Sequence, residues 1–354
     1  MSESPAEARL TVDLDALAAN HALLRRLAGG AEVTPVVKAD AYGLGVGPVA
    51  LRLAAKGARG FFVARVAEGE ALRGVLGQGP TIYVLDGCPS GAGGRLEEAC
   101  LTPVLNSPEQ AHAWGGRPCA LHVDTGINRL GVTVAEARAL AASGLKVDVL
   151  MSHLSCADIP GHPMNARQLA AFTALRPLFP SARACFANSG GLFLGEAYHF
   201  DMVRPGITLY GGGPFEAADA RIHPVVTFEA PILQVRDAAV GEAVGYGAGF
   251  VAVRPTRIAI VAAGHADGVL RAAYPKGQVW FVGVKRAVLG RISMDLIAVD
   301  VTGCDDARPG ALVQLLGDKI LLDEAAAAAG TISYEILTRL SPRATRVWRG
   351  APGG

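Results

Sequence analysis

The sequence lacks any block of charge of one sign and any long uncharged apolar run. Its 33 basic side chains are balanced by 32 acidic ones within 354 residues. Nucleic acids and anionic membrane surfaces bind concentrated positive charge, so neither is expected as a partner. A membrane span would need about 20 consecutive apolar residues, and no segment provides them. The N-terminal MSESPAEARL lacks the apolar core of a secretory signal, so we expect a cytoplasmic protein.

Paired cysteines are missing as well. The six cysteines are scattered and show no spacing typical of a metal site: Cys88, Cys100, Cys119, Cys156, Cys185 and Cys304. We therefore expect reduced thiols, as is usual in cytoplasmic proteins, and no bound metal.

Apolar side chains are abundant and make up 51% of the sequence, enough to build the cores of two domains. From about residue 30 to 210, short apolar runs alternate with Ala/Leu-rich amphipathic stretches. Two of these stretches begin with SPEQ and TVAE, which are typical helix starts. The strand-like runs lie at 32–37, 60–64, 81–85, 102–105, 120–124, 147–152, 184–187 and 201–204.

Eight strand–helix repeats predict an α/β fold, namely a parallel (β/α)8 TIM barrel. An open doubly wound sheet is the alternative, but no glycine fingerprint of that fold follows the first strand. After residue 222, β-branched segments separated by Gly, Pro and Asp predict a mainly β domain. We therefore place the barrel at 10–222 and the C-terminal β domain at 223–350.

Polar side chains follow several predicted barrel strands, at the end where barrel enzymes build their sites. They are Lys38 and Tyr42 after strand one, Arg129 after strand five, His153 after strand six, Asn188 and Ser189 after strand seven, and Arg204 after strand eight. The loops after strands seven and eight are the usual phosphate site of this fold, and a serine with glycine amides suits a phosphate. Each residue alone is more often structural, so the prediction rests on their joint placement.

A lysine facing a phosphate cradle indicates a particular cofactor. A lysine amine can condense with an aldehyde, and pyridoxal 5′-phosphate carries both an aldehyde and a phosphate. We expect Lys38 to bind the aldehyde, while Tyr42 and the loops after strands seven and eight hold the phosphate.

The motif VVKADAYGLG at 36–45 resembles the pyridoxal phosphate lysine motif of the alanine racemase family. Similar motifs follow in order from residue 11 to about 346: TVDLDALAANHALLR, HVDTGINRLGV, MSHL, FANSGG, DMVRPGITLYG, VGYGAGF, GHADGVLR, GRISMDLIAVDV and ISYEILTRLSPR. The resemblance implies a barrel joined to a β domain. It also implies an enzyme that interconverts L- and D-alanine, for peptidoglycan synthesis or for alanine catabolism.

The resemblance assigns a role to each matching residue. Lys38 would bind the cofactor and act as one catalytic base, and Tyr246, from the partner subunit of a homodimer, would act as the other. Arg204 would face the pyridine nitrogen, and His153 would lie beside the cofactor. The remaining implied contacts are Tyr42, Ser189, Gly206, Ile207 and Tyr334 for the phosphate, and Arg129 and the Met294 amide for the substrate carboxylate.

Three positions depart from the family pattern. His122 replaces a lysine that is carbamylated in many members, and a histidine cannot form the carbamate that orients the substrate-binding arginine. His265 stands where the family usually has a tyrosine at the site entrance, and Phe250 replaces a frequent phenol. These changes bear on substrate range and on the tuning of Arg129, but they leave the reaction class intact.

Three other functions remain open on the sequence alone. A racemase of broader range, or one that acts on serine, would keep the same residues. A non-enzymatic pyridoxal phosphate carrier would lack the second domain, and with it Tyr246 and Met294. A barrel-type decarboxylase would need a carboxylate at the pyridine nitrogen, where this sequence has Arg204.

Overall fold

The chain folds into two compact units in the computed structural model, which describes residues 7–350. One unit comprises Leu17–Leu209, and the other comprises Tyr210–Gly350 with the described residues up to Ala16. Within residues 7–350, every helix is too short or too polar to cross a membrane.

The unit Leu17–Leu209 is a closed parallel barrel. Strand β1 (Arg9–Asp13) precedes it in the chain and belongs to the other unit. The barrel strands are β2 (Glu32–Val33), β3 (Gly60–Val63), β4 (Thr81–Val84), β5 (Thr102–Leu105), β6 (Cys119–His122), β7 (Val147–Met151), β8 (Arg183–Cys185) and β9 (Met202–Val203). They pair in the order β2-β9-β8-β7-β6-β5-β4-β3. Val36, just beyond β2, forms a parallel bridge to Phe62 of β3 and closes the ring.

The predicted (β/α)8 barrel is confirmed, because a strand lies at each of the eight apolar runs. Every residue of β3 and β6 is buried, as expected for strands covered by helices outside and by side chains inside. His122, the last residue of β6, is therefore a buried polar group at the carboxyl end of a core strand.

Helices precede and connect the barrel strands, and two of them begin at SPEQ and TVAE as predicted. They are α1 (Leu14–Ala28), α2 (Lys38–Gly43), α3 (Val46–Ala55), α4 (Val66–Leu76), α5 (Gly93–Glu98), α6 (Pro108–Trp114), α7 (Val134–Ala142), α8 (Pro163–Leu175) and α9 (Ser189–Phe193). Ser107 caps α6 by accepting a hydrogen bond from the Gln110 N–H at 3.2 Å. Thr133 and Glu136 form a reciprocal capping box at the start of α7, which confirms the second predicted helix start.

The other unit, called the β unit, is built on one eight-stranded sheet. Its strands are β1, β10 (Val226–Ala238), β13 (Thr256–Val261), β14 (Gln278–Phe281), β15 (Val284–Leu289), β16 (Ile297–Asp300), β17 (Leu312–Leu316) and β18 (Thr345–Arg349). They pair in the order β13-β16-β15-β14-β17-β10-β1-β18. Because β10 also pairs with β13, six of these strands form a second closed ring. The predicted mainly β character of this part of the chain is confirmed.

Three smaller elements complete the β unit. A short hairpin of β11 (Ala243–Val244) and β12 (Phe250–Val251) lies outside the main sheet. The helices α10 (Leu322–Ala329) and α11 (Ser333–Arg339) follow β17 in the chain. The β11–β12 hairpin matters most for function, because Tyr246 lies in the turn that joins its two strands.

Candidate active site

Lys38 stands at the start of a left-handed turn. The four residues Ala39–Tyr42 of α2 all have φ between 53° and 58°. For residues with a Cβ atom this conformation costs about 1–2 kcal/mol each, so surrounding groups must hold it. Glu68 is one such group, because its carboxylate accepts a hydrogen bond from the Ala39 N–H at 2.8 Å. The supported turn fixes Lys38 at the carboxyl end of the first barrel strand.

The Lys38 amine is half-buried, and its pKa is lowered from the usual 10.5. Burial is the largest cause of this lower pKa, and the cations of Arg129 and Arg204 add to it. The Glu68 carboxylate acts in the opposite direction. A lower pKa increases the fraction of free amine, which is the form that attacks an aldehyde or accepts a proton.

Arg204 brings a buried permanent cation to the same end of the barrel. It follows β9 and is only 4% exposed. Its guanidinium donates to the Ser152 carbonyl at 2.7 Å and to the Phe186 carbonyl at 3.2 Å. A third bond joins Nη2 to Nδ1 of His153 at 3.2 Å. Because a guanidinium keeps its protons, Arg204 can only donate hydrogen bonds at this site.

His153 is therefore held in its neutral form. Burial is the main cause that lowers its pKa well below 6.5, and the Arg204 cation is the next. Since Nδ1 accepts from Arg204, the single ring proton lies on Nε2. His153 thus offers one N–H donor of fixed position beside Lys38 and Arg204.

Hydroxyl and amide groups form a cradle beyond β8 and β9. Ser189 Oγ accepts from the Gly206 N–H at 2.9 Å and from the Thr208 hydroxyl at 3.1 Å. A Cβ atom at Gly206 would lie 2.1 Å from the Tyr42 hydroxyl, so only glycine allows this close approach. Ile207 opens the short turn Ile207–Leu209 next to this cluster. Such groups suit a phosphate, and they stand where the fold usually binds one.

These donors fit pyridoxal 5′-phosphate. Lys38 supplies an amine of lowered pKa for the aldehyde. Arg204 would supply a buried donor of fixed charge, and Ser189 with Gly206 would supply hydroxyl and amide groups to a phosphate. All four residues belong to the barrel unit and follow its first, seventh or eighth strand.

Asn106 holds His122 in a single tautomer. The Asn106 amide donates to the carbonyls of Leu85 and Val104, both at 2.8 Å, so its oxygen must face Nδ1 of His122 at 2.9 Å. His122 therefore carries its proton on Nδ1, while Nε2 is buried and has no partner within residues 7–350. Burial, with the Arg204 cation, lowers its pKa to about 4. A neutral imidazole thus occupies the position of the carbamylated lysine.

Arg129 lies in a loop that Asp124 organises. The Asp124 carboxylate accepts from the backbone N–H groups of Gly126 at 2.7 Å, Ile127 at 2.9 Å and Arg129 at 3.2 Å. The Arg129 side chain is exposed, and its charge contributes to the lowered pKa of Lys38. Arg129, the cation predicted after the fifth barrel strand (β6), therefore lies near Lys38.

The β unit brings three other sequence candidates to one cleft of about 690 Å³. Tyr246, His265 and Met294 all line this cleft. Tyr246 is 69% exposed, and Met294 is 59% exposed. The Met294 carbonyl accepts from the Ala266 N–H at 2.9 Å, which ties it to the turn that carries His265. Tyr334 is the second residue of α11 in the same unit.

The structure also changes or adds to the sequence candidates. Asn188 caps α9, because its side-chain oxygen accepts from the Gly191 N–H at 2.9 Å. Asn188 therefore stabilises the start of the helix that carries Ser189. Sequence reasoning missed Thr208 and Asn106, whose partners, Ser189 and His122, lie on other elements of the barrel. Only the folded barrel brings each of these two residues to its partner.

A parallel barrel with a lysine amine, an arginine and a phosphate cradle at one end defines a barrel-type pyridoxal phosphate protein. The chain belongs to the alanine racemase family. Residues 12–214 match the family described as alanine racemase, N-terminal domain. Residues 225–348 match alanine racemase, C-terminal domain.

Curated relatives extend over nearly the whole chain. An alanine racemase of Jannaschia sp. (strain CCS1) is 47% identical, over 95% of this chain and 97% of the relative. A protein of Mesorhizobium japonicum named "Alanine racemase, catabolic" is 44% identical, over 99% of this chain and 95% of the relative.

Two solved structures show the same similarity. An alanine racemase from Bartonella henselae with covalently bound pyridoxal phosphate has a TM-score of 0.92 and 36% identity, covering 98% of this chain and 100% of that one. A biosynthetic alanine racemase from Pseudomonas aeruginosa has a TM-score of 0.92 and 35% identity, with the same coverage. The family and fold predicted from the motifs are confirmed.

Proposed function

We propose that this chain is an alanine racemase that interconverts L- and D-alanine with pyridoxal 5′-phosphate. One observation carries the proposal. The Lys38 amine has a lowered pKa and lies at the same barrel end as a buried arginine and a hydroxyl-rich cradle. The full-length similarity to curated alanine racemases supports this reaction over others of the same cofactor.

The cofactor would be held at both ends by residues of this chain. Lys38 would bind the aldehyde, and Tyr42, Ser189, Gly206 and Ile207 would hold the phosphate. The family resemblance adds Tyr334 to the phosphate contacts. When bound, the cofactor withdraws electrons from the amino acid and makes its α-proton more acidic.

Lys38 and Tyr246 would exchange the α-proton with opposite faces of the substrate. Racemisation removes a proton from one face and returns one to the other, so two acid/base groups on opposite faces perform it most directly. Lys38 would serve D-alanine and Tyr246 would serve L-alanine.

Arg204 would direct the chemistry toward racemisation. Facing the pyridine nitrogen, its guanidinium would donate a hydrogen bond without giving up a proton. The ring would then withdraw electrons weakly, which disfavours transamination and decarboxylation. His153 would support this arrangement through its hydrogen bond with Arg204.

Arg129 and the backbone amide of Met294 would bind the substrate carboxylate. The Asp124-organised loop gives Arg129 a defined backbone position. The hydrogen bond from the Ala266 N–H to the Met294 carbonyl likewise gives Met294 a defined backbone position. His265 lines the cleft with both Tyr246 and Met294, so it would contribute to substrate range.

The assembly would be a cytoplasmic homodimer in which each site uses Lys38 of one chain and Tyr246 of the partner subunit. The barrel domain would span 10–222 and the β domain 223–350. The large exposure of Tyr246 supports a role outside its own unit's core. Both biosynthetic and catabolic alanine racemases are similar to this chain. Its product would therefore serve peptidoglycan synthesis or alanine breakdown.

A substrate survey tests the proposal. Purified protein with pyridoxal phosphate is incubated with each L-amino acid, and the loss of optical rotation is followed. We expect rapid racemisation of alanine, and borohydride reduction should attach the cofactor to Lys38. Faster turnover of serine would favour a broader racemase, and release of carbon dioxide would indicate a decarboxylase. Cofactor binding without turnover of any amino acid would indicate a non-enzymatic pyridoxal phosphate carrier.

A further inference from the structure

The turn that carries Tyr246 is an exposed part of the β unit. Its residues Gly245–Ala248 are all exposed, and Tyr246 itself lies outside any apolar core. The turn joins β11 and β12, which form a hairpin of only two residue pairs. So short a hairpin does not fix a turn by itself, and other contacts must define where the phenol stands.

Arg291 lies beside this turn and is close to three alternate glycines, Gly245, Gly247 and Gly249. A Cβ atom at Gly247 would lie 3.1 Å from Nη1 of Arg291 and 3.4 Å from its Cζ. A Cβ atom at Gly245 would lie 3.3 Å from the Arg291 backbone nitrogen, and one at Gly249 would lie equally close to it. The backbone of Arg291 thus lies close to both ends of the turn, and its guanidinium lies close to Gly247 in the middle.

Two further contacts fix the ends of the turn. A Cβ atom at Gly290 would lie 2.4 Å from the Val244 carbonyl oxygen, so the residue before Arg291 packs directly on β11. At the other end, the Tyr274 hydroxyl donates a hydrogen bond to the Gly249 carbonyl. Between these anchors, the Arg291 side chain is the group that packs against the middle of the turn.

No acidic side chain explains the presence of Arg291. Within residues 7–350, its guanidinium makes neither an ion pair nor a side-chain hydrogen bond, although it lines the same cleft of about 660 Å³ as Tyr246. A guanidinium is planar and rigid, whereas the lysine ammonium is a compact group on a flexible stem. Three guanidinium atoms of Arg291, namely Nη1, Cζ and Nη2, lie within 3.9 Å of the Cβ position at Gly247, and the single nitrogen of a lysine cannot reproduce this contact.

We propose that Arg291 is a positioning residue that holds the Gly245–Gly249 turn, and hence the Tyr246 phenol, in its reactive place. The inference rests on the proposed role of Tyr246 as the second base. Because Lys38 lies on the other unit, loss of Arg291 should impair only the proton transfer that uses Tyr246. Arg291 thereby gains a function in the reaction without touching the reacting atoms.

The first measurement needs neither cofactor nor substrate. Backbone hydrogen–deuterium exchange of residues 243–251 is compared in the parent protein, Arg291→Met and Arg291→Lys. We expect about tenfold faster exchange in both variants, because neither has a planar group. Arg254→Met is the matched control, since Arg254 is an exposed arginine of the same unit that pairs with Asp300 at 2.7 Å. Unchanged exchange in Arg291→Met, or parent-like exchange in Arg291→Lys, would overturn the inference.

The second measurement separates the inference from the proposed function. Single-turnover incorporation of solvent deuterium is followed from L-alanine and from D-alanine. In Arg291→Met we expect about tenfold slower incorporation from L-alanine and less than about twofold change from D-alanine. A faster-exchanging turn with equal effects on both enantiomers would instead remove Tyr246 from its proposed role.

Discussion

Nη2 of Arg204 donates a hydrogen bond of 3.2 Å to Nδ1 of His153. This bond fixes the tautomer of His153, because a guanidinium cannot accept a proton in return. The buried site therefore contains a permanent cation beside a neutral imidazole, and the Arg204 cation adds to the burial and the Arg129 charge that lower the pKa of Lys38. Arg204 thus connects the proposed control of the pyridine nitrogen with the lowered pKa of Lys38.

Activity should not depend on carbon dioxide. His122 is buried, neutral and fixed by Asn106 at 2.9 Å, so it cannot carry the carbamate that a lysine forms at this position. Racemase rates in bicarbonate-free buffer should match those with bicarbonate added. Reversible stimulation by bicarbonate would show that a different lysine takes a carbamate.

The buried His21 should reduce stability in acid. Burial and the Arg25 cation lower its pKa to about 4, and its Nε2 has no partner within residues 7–350. The unfolded state, with the usual pKa of 6.5, binds a proton first as the pH falls. The free energy of unfolding therefore drops as the pH falls from about 6.5 toward 4, by about 2 kcal/mol between pH 7 and pH 5.

His21→Leu should remove that part of the acid sensitivity. Urea unfolding of His21→Leu and the parent at pH 7 and pH 5 measures the difference. The exposed His112→Gln is the control for loss of a histidine, and its pH dependence should equal that of the parent. The same decrease in His21→Leu as in the parent would show that His21 titrates alike in both states.

The barrel could be predicted because its signals are local. Apolar runs mark all eight strands, and Ser107 and Thr133 mark helix starts by their own capping bonds. The left-handed turn at Ala39–Tyr42 has no such signal, because none of its residues prefers positive φ. That conformation depends on distant groups, including Glu68 and the glycine opposite Tyr42.

The candidate site was predicted from charged and hydroxyl side chains that follow the predicted barrel strands. Lys38 and Arg204 were found in this way. Asn106 was not found, because its contact with His122 depends on the register between β5 and β6, which the sequence alone does not show. The place of β1 beside β10 and β18 also depends on pairing between residues more than 200 positions apart.

Subunits with complementary lesions should restore activity. In a two-fold dimer of shared sites, a mixed dimer of Lys38→Ala and Tyr246→Phe has one doubly altered site and one intact site. Random exchange makes about half the dimers mixed, so about a quarter of the parent activity should return. Each variant taken alone through the same exchange is the control. With subunit exchange verified, absence of activity would show that Tyr246 does not act from the partner subunit.

The central claim is that Lys38 and Tyr246 transfer protons on opposite faces of alanine. The most direct test follows single-turnover incorporation of solvent deuterium by Tyr246→Phe, starting from L-alanine and, separately, from D-alanine. Tyr198→Phe is the control for loss of a phenol elsewhere. We predict that incorporation from L-alanine falls by about a hundredfold or more, while D-alanine keeps nearly the parent rate because Lys38 still acts. Equal losses from both enantiomers would contradict the two-base account.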